Sequence, residues 1–223
     1  MFQLLINMKN KNYFFQNYKS KKALEIEITN FISRYDFNQE FESQLLSDLI
    51  VEKHYGSLLH GFRPLWFLKN KSKRNKISYD FFCFITPVGW YPISWTQCIN
   101  PKSKKDIVID ALRDAIQHYI SERKRQYPIC ERCGKVPSEE VDHIELEFND
   151  IATQAINTLS DKDLESIMDS YKSNFLNRKD FRLPNNNSAL IYTLEAHKTA
   201  KLQAVCKKCH KLNSKERTEN RKK

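Results

Sequence analysis

Cys130-Glu131-Arg132-Cys133-Gly134-Lys135, Val141-Asp142-His143-Ile144 and Cys206-Lys207-Lys208-Cys209-His210 are the stretches that decide how this chain is read. A Cys-x-x-Cys turn presents two thiols to one tetrahedral ion, and a glycine after the second cysteine relieves the tight turn. Two such turns complete a four-cysteine set, the closed arrangement of structural zinc. The remaining cysteines, Cys83 and Cys98, stand alone. In a reducing compartment, short-spaced pairs point to metal and not to disulfides. Asp142 and His143 lie between the two pairs. Successive strand residues face opposite sides unless the strand ends there. At a strand end, Asp142 can bind a hard cation while His143 faces a water. His210 follows the last cysteine, starts a basic helix and can reach the same cation.

Roughly seventy residues separate the cysteine pairs, more than a tight hairpin needs. This insert, about 147–198, has the composition of folded chain. Phe148, Ile151, Ala155 and Ile156 form a helical stripe. Ser160-Asp161-Lys162-Asp163 caps a second helix through Leu164, Ile167, Met168 and Tyr171. The default expectation is that the insert pads the fold. Upstream, apolar periodicity predicts helices over 20–34, 40–54 and 104–126. Aromatic and β-branched residues between Pro64 and Ile99 predict strands, with Pro87-Val88-Gly89 as a turn and Lys69 to Lys76 as a basic loop. Tyr127-Pro128 stops the third helix, which puts the domain boundary there.

The formal net charge is +10, from 37 Lys and Arg against 27 Asp and Glu. That surplus favours a polyanionic partner. Lys207, Lys208, Lys211 and Lys215 crowd the C-terminal helix, and Lys69, Lys71, Lys73, Arg74 and Lys76 the loop. Both are expected to contact phosphates. No apolar run reaches membrane-spanning length, and Met1 to Tyr13 lacks the marks of a signal peptide. A cytoplasmic protein with no membrane partner is expected.

The three stretches, extended upstream through Leu202-Gln203-Ala204-Val205, resemble the HNH (ββα-metal) endonuclease family. The resemblance implies an α+β chain whose residues 128–223 form a zinc-stapled ββα-metal module with a helical insert. It implies a structural zinc on Cys130, Cys133, Cys206 and Cys209, a divalent ion on Asp142 and His210, and His143 as general base. Magnesium or manganese suits a site of carboxylate and water ligands, while nickel or zinc also accepts imidazole. The family's middle asparagine, which orients the base, falls on Lys201. His197, one turn upstream if the segment is helical, or one of Asn185 to Asn187, could replace it; the sequence does not choose.

Leu49-Ile50-Val51-Glu52-Lys53-His54, then Trp66-Phe67, then Trp90-Tyr91-Pro92-Ile93-Ser94-Trp95-Thr96-Gln97-Cys98-Ile99 are similar to the small domain of the DCL (defective chloroplasts and leaves) family. This implies that residues 1–127, an α+β domain with a small antiparallel sheet, serve as a nucleic-acid-binding accessory. The expected function is hydrolysis of phosphodiesters, with double-stranded DNA as partner; a homodimer is compatible with it. The alternative is a non-catalytic zinc protein that binds DNA or RNA, or an RNA-processing factor.

Overall fold

Ser20 begins the first helix, α1 (Lys21–Ser33): its hydroxyl accepts from Ala23 N–H, and Leu24, Ile28 and Ile32 recur every four residues on the buried side. The structure, a computed structural model, describes residues 18–72, 79–174 and 181–220. It is mixed α+β. The chain divides into two compact units, Met1–Lys102 with Lys172–Arg178, and Ser103–Tyr171 with Lys179–Lys223.

In the first unit, the segment expected as one helix over 40–54 is a short strand, β1 (Glu40–Glu42), followed by α2 (Gln44–Lys53). Ser43 caps α2 by accepting from Leu46 N–H. β1 forms because Phe41 is buried between two exposed glutamates, the period-two pattern of an edge strand. A short helix, α3 (Tyr55–His60), leads to β2 (Trp66–Lys71), β3 (Tyr79–Ile85) and β4 (Gly89–Pro92). The sheet order is β1-β2-β3-β4, antiparallel throughout. After it comes α4 (Trp95–Ile99). Phe41, Phe67, Phe81 and Cys83 from the sheet share one core with Leu24, Ile28, Leu46 and Ile50 from the helices.

Lys69 does not belong to a phosphate-binding loop. It lies within β2, is only 8% exposed, and its Nζ donates to the Ile32 carbonyl at 2.9 Å. That carbonyl is in the last turn of α1, where the helix dipole is negative, and it also accepts from the Tyr35 N–H at 3.3 Å. Lys69 therefore caps a helix from across the core. Lys71 is exposed. Lys73, Arg74 and Lys76 lie outside the described residues.

The second unit starts with α5 (Lys104–Ala115), entered through a capping box in which Ser103 and Asp106 bind each other's backbone N–H. The helix expected over 104–126 breaks at Ile116 (φ −91°, ψ 1°) and resumes as α6 (Gln117–Gln126). The break separates two kinds of helix. α5 buries Ile107, Val108, Ala111 and Leu112, whereas α6 has no fully buried residue. The units divide at Lys102/Ser103, one helix pair earlier than the expected Tyr127/Pro128. The reason is packing: α5 and α6 lie against elements of the C-terminal half.

Those elements are β5 (Glu140–His143), α7 (Phe148–Ile156), α8 (Asp161–Ser173), α9 (Ser188–Thr199), β6 (Leu202–Val205) and α10 (Lys207–Asn220). β5 and β6 pair antiparallel, with His143 opposite Leu202 and Glu140 opposite Val205. α10 follows at once. α5 packs on α7 and α9, and α6 on β5 and β6. As the capping motif predicted, Ser160 and Asp163 bind each other's backbone N–H at the start of α8. Among the described residues no helix is long and apolar enough to cross a membrane.

Candidate metal centre and adjoining polar site

The two Cys-x-x-Cys turns come together at the root of the β5–β6 hairpin. Gly134 takes the left-handed conformation (φ 64°) that the first turn needs, and its N–H donates to the Cys130 carbonyl at 2.8 Å. In the second turn the His210 N–H donates to the Cys206 carbonyl at 2.9 Å. The sulfur atoms of Cys130, Cys133, Cys206 and Cys209 all lie within 4.8 Å of one another. Thiolates at about 2.3 Å from one zinc ion would stand about 3.8 Å apart, so the set needs little adjustment to hold such an ion. Burial raises the Cys130 thiol, but the backbone N–H groups of Cys133, Cys206 and Arg132 outweigh it and bring the pKa down to about 6. Burial, together with the neighbouring sulfurs, pushes Cys209 up to about 12. Four sulfur ligands gathered this closely could hold a divalent cation, whose charge would offset the repulsion between their thiolate forms.

β5 carries Asp142 and His143 at its end, but they do not share a face. Asp142 turns toward α10. It is 4% exposed, and its carboxylate takes a bidentate pair from Arg217, Nη1 to Oδ2 at 3.0 Å and Nη2 to Oδ1 at 2.9 Å. Asn213 Nδ2 donates to Oδ2 at 2.7 Å. Arg217 also donates to the His143 carbonyl at 3.2 Å, and its Nε is 2.8 Å from Glu147 Oε1 in an ion pair that is not aligned as a hydrogen bond. His210 Nε2 lies 3.8 Å from Asp142 Oδ1, and His210 Nδ1 lies 2.8 Å from Glu140 Oε2.

The spacing of these two donor atoms is compatible with one small divalent ion. Two ligand atoms each about 2.1 Å from one ion stand roughly 3 to 4 Å apart, and Oδ1 keeps a lone pair beyond its bond to Arg217. Glu140 lies on the Nδ1 side of the His210 ring and Asp142 on the Nε2 side.

His143 turns to the opposite side, toward the insert. It is 8% exposed. Its Nε2 lies 2.9 Å from Nε2 of His197 on α9, with the rings edge-on at 88°. His197 Nδ1 in turn lies 2.7 Å from the Thr193 carbonyl, one helical turn back. Phe148 packs beside both rings and Tyr119 beside His197. Burial, then the His197 ring, bring the His143 pKa down to about 4, so His143 is neutral near pH 7. His197 is also lowered, mainly by burial. His143 Nδ1 has no hydrogen-bond partner among the described residues.

The structure thus brings Asp142 to His210 and His143 to His197. Lys201 is exposed and its side chain pairs with Glu145. Asn187 caps α9 by accepting from Leu190 N–H. Among the described residues, His197 is the candidate whose side chain lies within hydrogen-bonding distance of the His143 ring. Lys207, Lys208, Lys211 and Lys215 are exposed on α10, with Lys207 3.5 Å from Glu139. Sequence reasoning missed Glu140, Glu147, Asn213 and Arg217. A signal was available for two of them: Asn213 and Arg217 follow His210 at +3 and +7, one face of a helix.

Comparison with known proteins found no match: no family model, no curated protein and no solved structure is significantly similar to this chain.

Proposed function

We propose that this chain is a metal-dependent endonuclease of the HNH type that hydrolyses phosphodiester bonds in DNA, with a structural zinc on its four clustered cysteines. One observation carries the reading. An Asp-His pair ends a strand whose partner strand leads into the four-thiol cluster and a helix, and the first turn of that helix sets His210 3.8 Å from Asp142.

Phosphodiesters resist attack because water is a weak nucleophile and the leaving alkoxide is unstable. His143, neutral and with one ring nitrogen unpartnered, can take the proton of an attacking water. Asp142 and His210 would hold a magnesium or manganese ion, which when bound supplies positive charge against the phosphate and the leaving oxygen. Glu140 adds negative charge beside the His210 ring, 2.8 Å from its Nδ1. Arg217 and Asn213 hold the carboxylate in place, and the lysines of α10 offer charge to phosphates along the strand.

Incubating the protein with supercoiled DNA and with structured RNA, with added magnesium or manganese, tests the reading. New DNA ends that need the ion are the expected result. The bidentate Arg217–Asp142 pair favours a second reading, a non-catalytic zinc module that grips nucleic acid, because a guanidinium already neutralises the carboxylate. Binding without cleavage of either substrate would select it.

A further inference from the structure

Two imidazoles in contact are ambiguous until one of their protons is fixed, and here a carbonyl fixes it. The Thr193 carbonyl oxygen can only accept, so His197 Nδ1, 2.7 Å away, carries a hydrogen. The buried His197 ring is neutral, so its Nε2 has no hydrogen and is an acceptor. His143 Nε2 lies 2.9 Å from that nitrogen, and two bare nitrogens would not approach so closely. His143 Nε2 is therefore the donor. In a neutral His143 the lone pair then sits on Nδ1, the nitrogen that no described group touches.

We infer that His197 is the positioning residue of this site: it holds His143 as the Nε2–H tautomer with Nδ1 presented as the proton acceptor. The inference rests on the endonuclease reading for its catalytic meaning, but its chemistry stands without it. An imidazole that reaches in from the insert does what a side-chain amide could do from the hairpin, which explains how Lys201 is tolerated in a slot where it orients nothing. The apolar walls of Phe148 and Tyr119 keep water from competing for the shared proton. Loss of the correct tautomer is costly wherever a histidine serves as base.

The full-length, zinc-loaded chain labelled with 15N decides the matter through its long-range imidazole proton–nitrogen correlations near neutral pH. The expected spectrum shows His197 as the Nδ1–H tautomer, the form a free histidine disfavours, and His143 as Nε2–H. Finding His197 as Nε2–H, or His143 as Nδ1–H, overturns the inference. Cleavage adds a second readout. His197→Phe fills the space but accepts no hydrogen bond, and kcat should fall about a hundredfold with KM unchanged. His197→Gln offers an amide oxygen and should recover part of the loss. His197→Phe cutting at the wild-type rate would also overturn the positioning role. If the wild-type chain cuts nothing while the spectrum shows the expected tautomers, the endonuclease reading fails and the hydrogen-bond relay stands.

Discussion

At the scale of single residues, Asp142 and His143 are neighbours in sequence that work in different surroundings, so their substitutions should separate. His143→Ala removes a proton acceptor whose polar contact is one imidazole. We expect cleavage to fall roughly a hundred- to ten-thousand-fold, with zinc content, fold and DNA affinity kept; a single-turnover assay beside elemental analysis checks this. Asp142→Ala is a harsher change, because Arg217 then keeps only Glu147 as an acidic partner. Breaking one side of a buried ion pair costs about 3 kcal/mol or more. Thermal unfolding should show that loss for Asp142→Ala and not for His143→Ala, whether or not either variant cuts. The sequence made His143, Asp142, His210 and the cysteines legible because their spacing is local and their residue types are chemically committed. His197 was legible as one of several options, since only the fold says which side chain reaches His143. Lys69 was misread because a lysine among lysines looks like a loop, and nothing local shows that a helix end across the core awaits its ammonium.

At the scale of elements, the thiol cluster joins two turns far apart in the chain and sits where both hairpin strands begin or end. Metal binding and folding should be coupled there. Chelation, or Cys206→Ser, should abolish the cooperative unfolding of the C-terminal unit and release the metal; circular dichroism and elemental analysis follow both. A chain that melts identically with and without chelator would remove the structural metal. α10 carries Lys207, Lys208, Lys211 and Lys215 exposed along its length. If they meet phosphates, DNA affinity should fall steeply with salt, and replacing two of them with glutamine should lower the slope of log K against log salt by about 2. Affinity that ignores ionic strength would refute that role. Strands and helices were largely readable from periodicity, down to the Ser160–Asp163 cap. The misses came where one polarity pattern serves two structures: Glu40–Glu42 continues a helical pattern in sequence but alternates as a strand, and Ile116 sits in an unbroken apolar stripe while its backbone leaves the helix.

At the scale of the whole molecule, the unit boundary is the informative departure. Proline stops a helix locally, so Tyr127-Pro128 reads as a border. Packing is what defines a unit, and α5 and α6 pack on the insert and the hairpin. A fragment beginning at Ser103 should fold and bind one zinc per chain, whereas one beginning at Pro128 should aggregate or remain unfolded, having lost the helix that buries Ile107, Val108, Ala111 and Leu112. Size-exclusion chromatography with metal analysis distinguishes the two; a well-folded Pro128 fragment would show that the helix pair is dispensable.

The position of His197 also has a consequence for protein engineering. Splicing Glu145 directly to Lys201 looks like a harmless way to shrink the module, since it keeps the cysteines, Asp142, His210, Asn213 and Arg217. Even if such a miniature were given a new cover for the apolar face of α5, the imidazole of His143 would lack the His197 partner that chooses its protonated nitrogen. Among the described residues, the segment between the two strands is what supplies the imidazole partner of His143, and a trimmed scaffold would have to import a replacement for it.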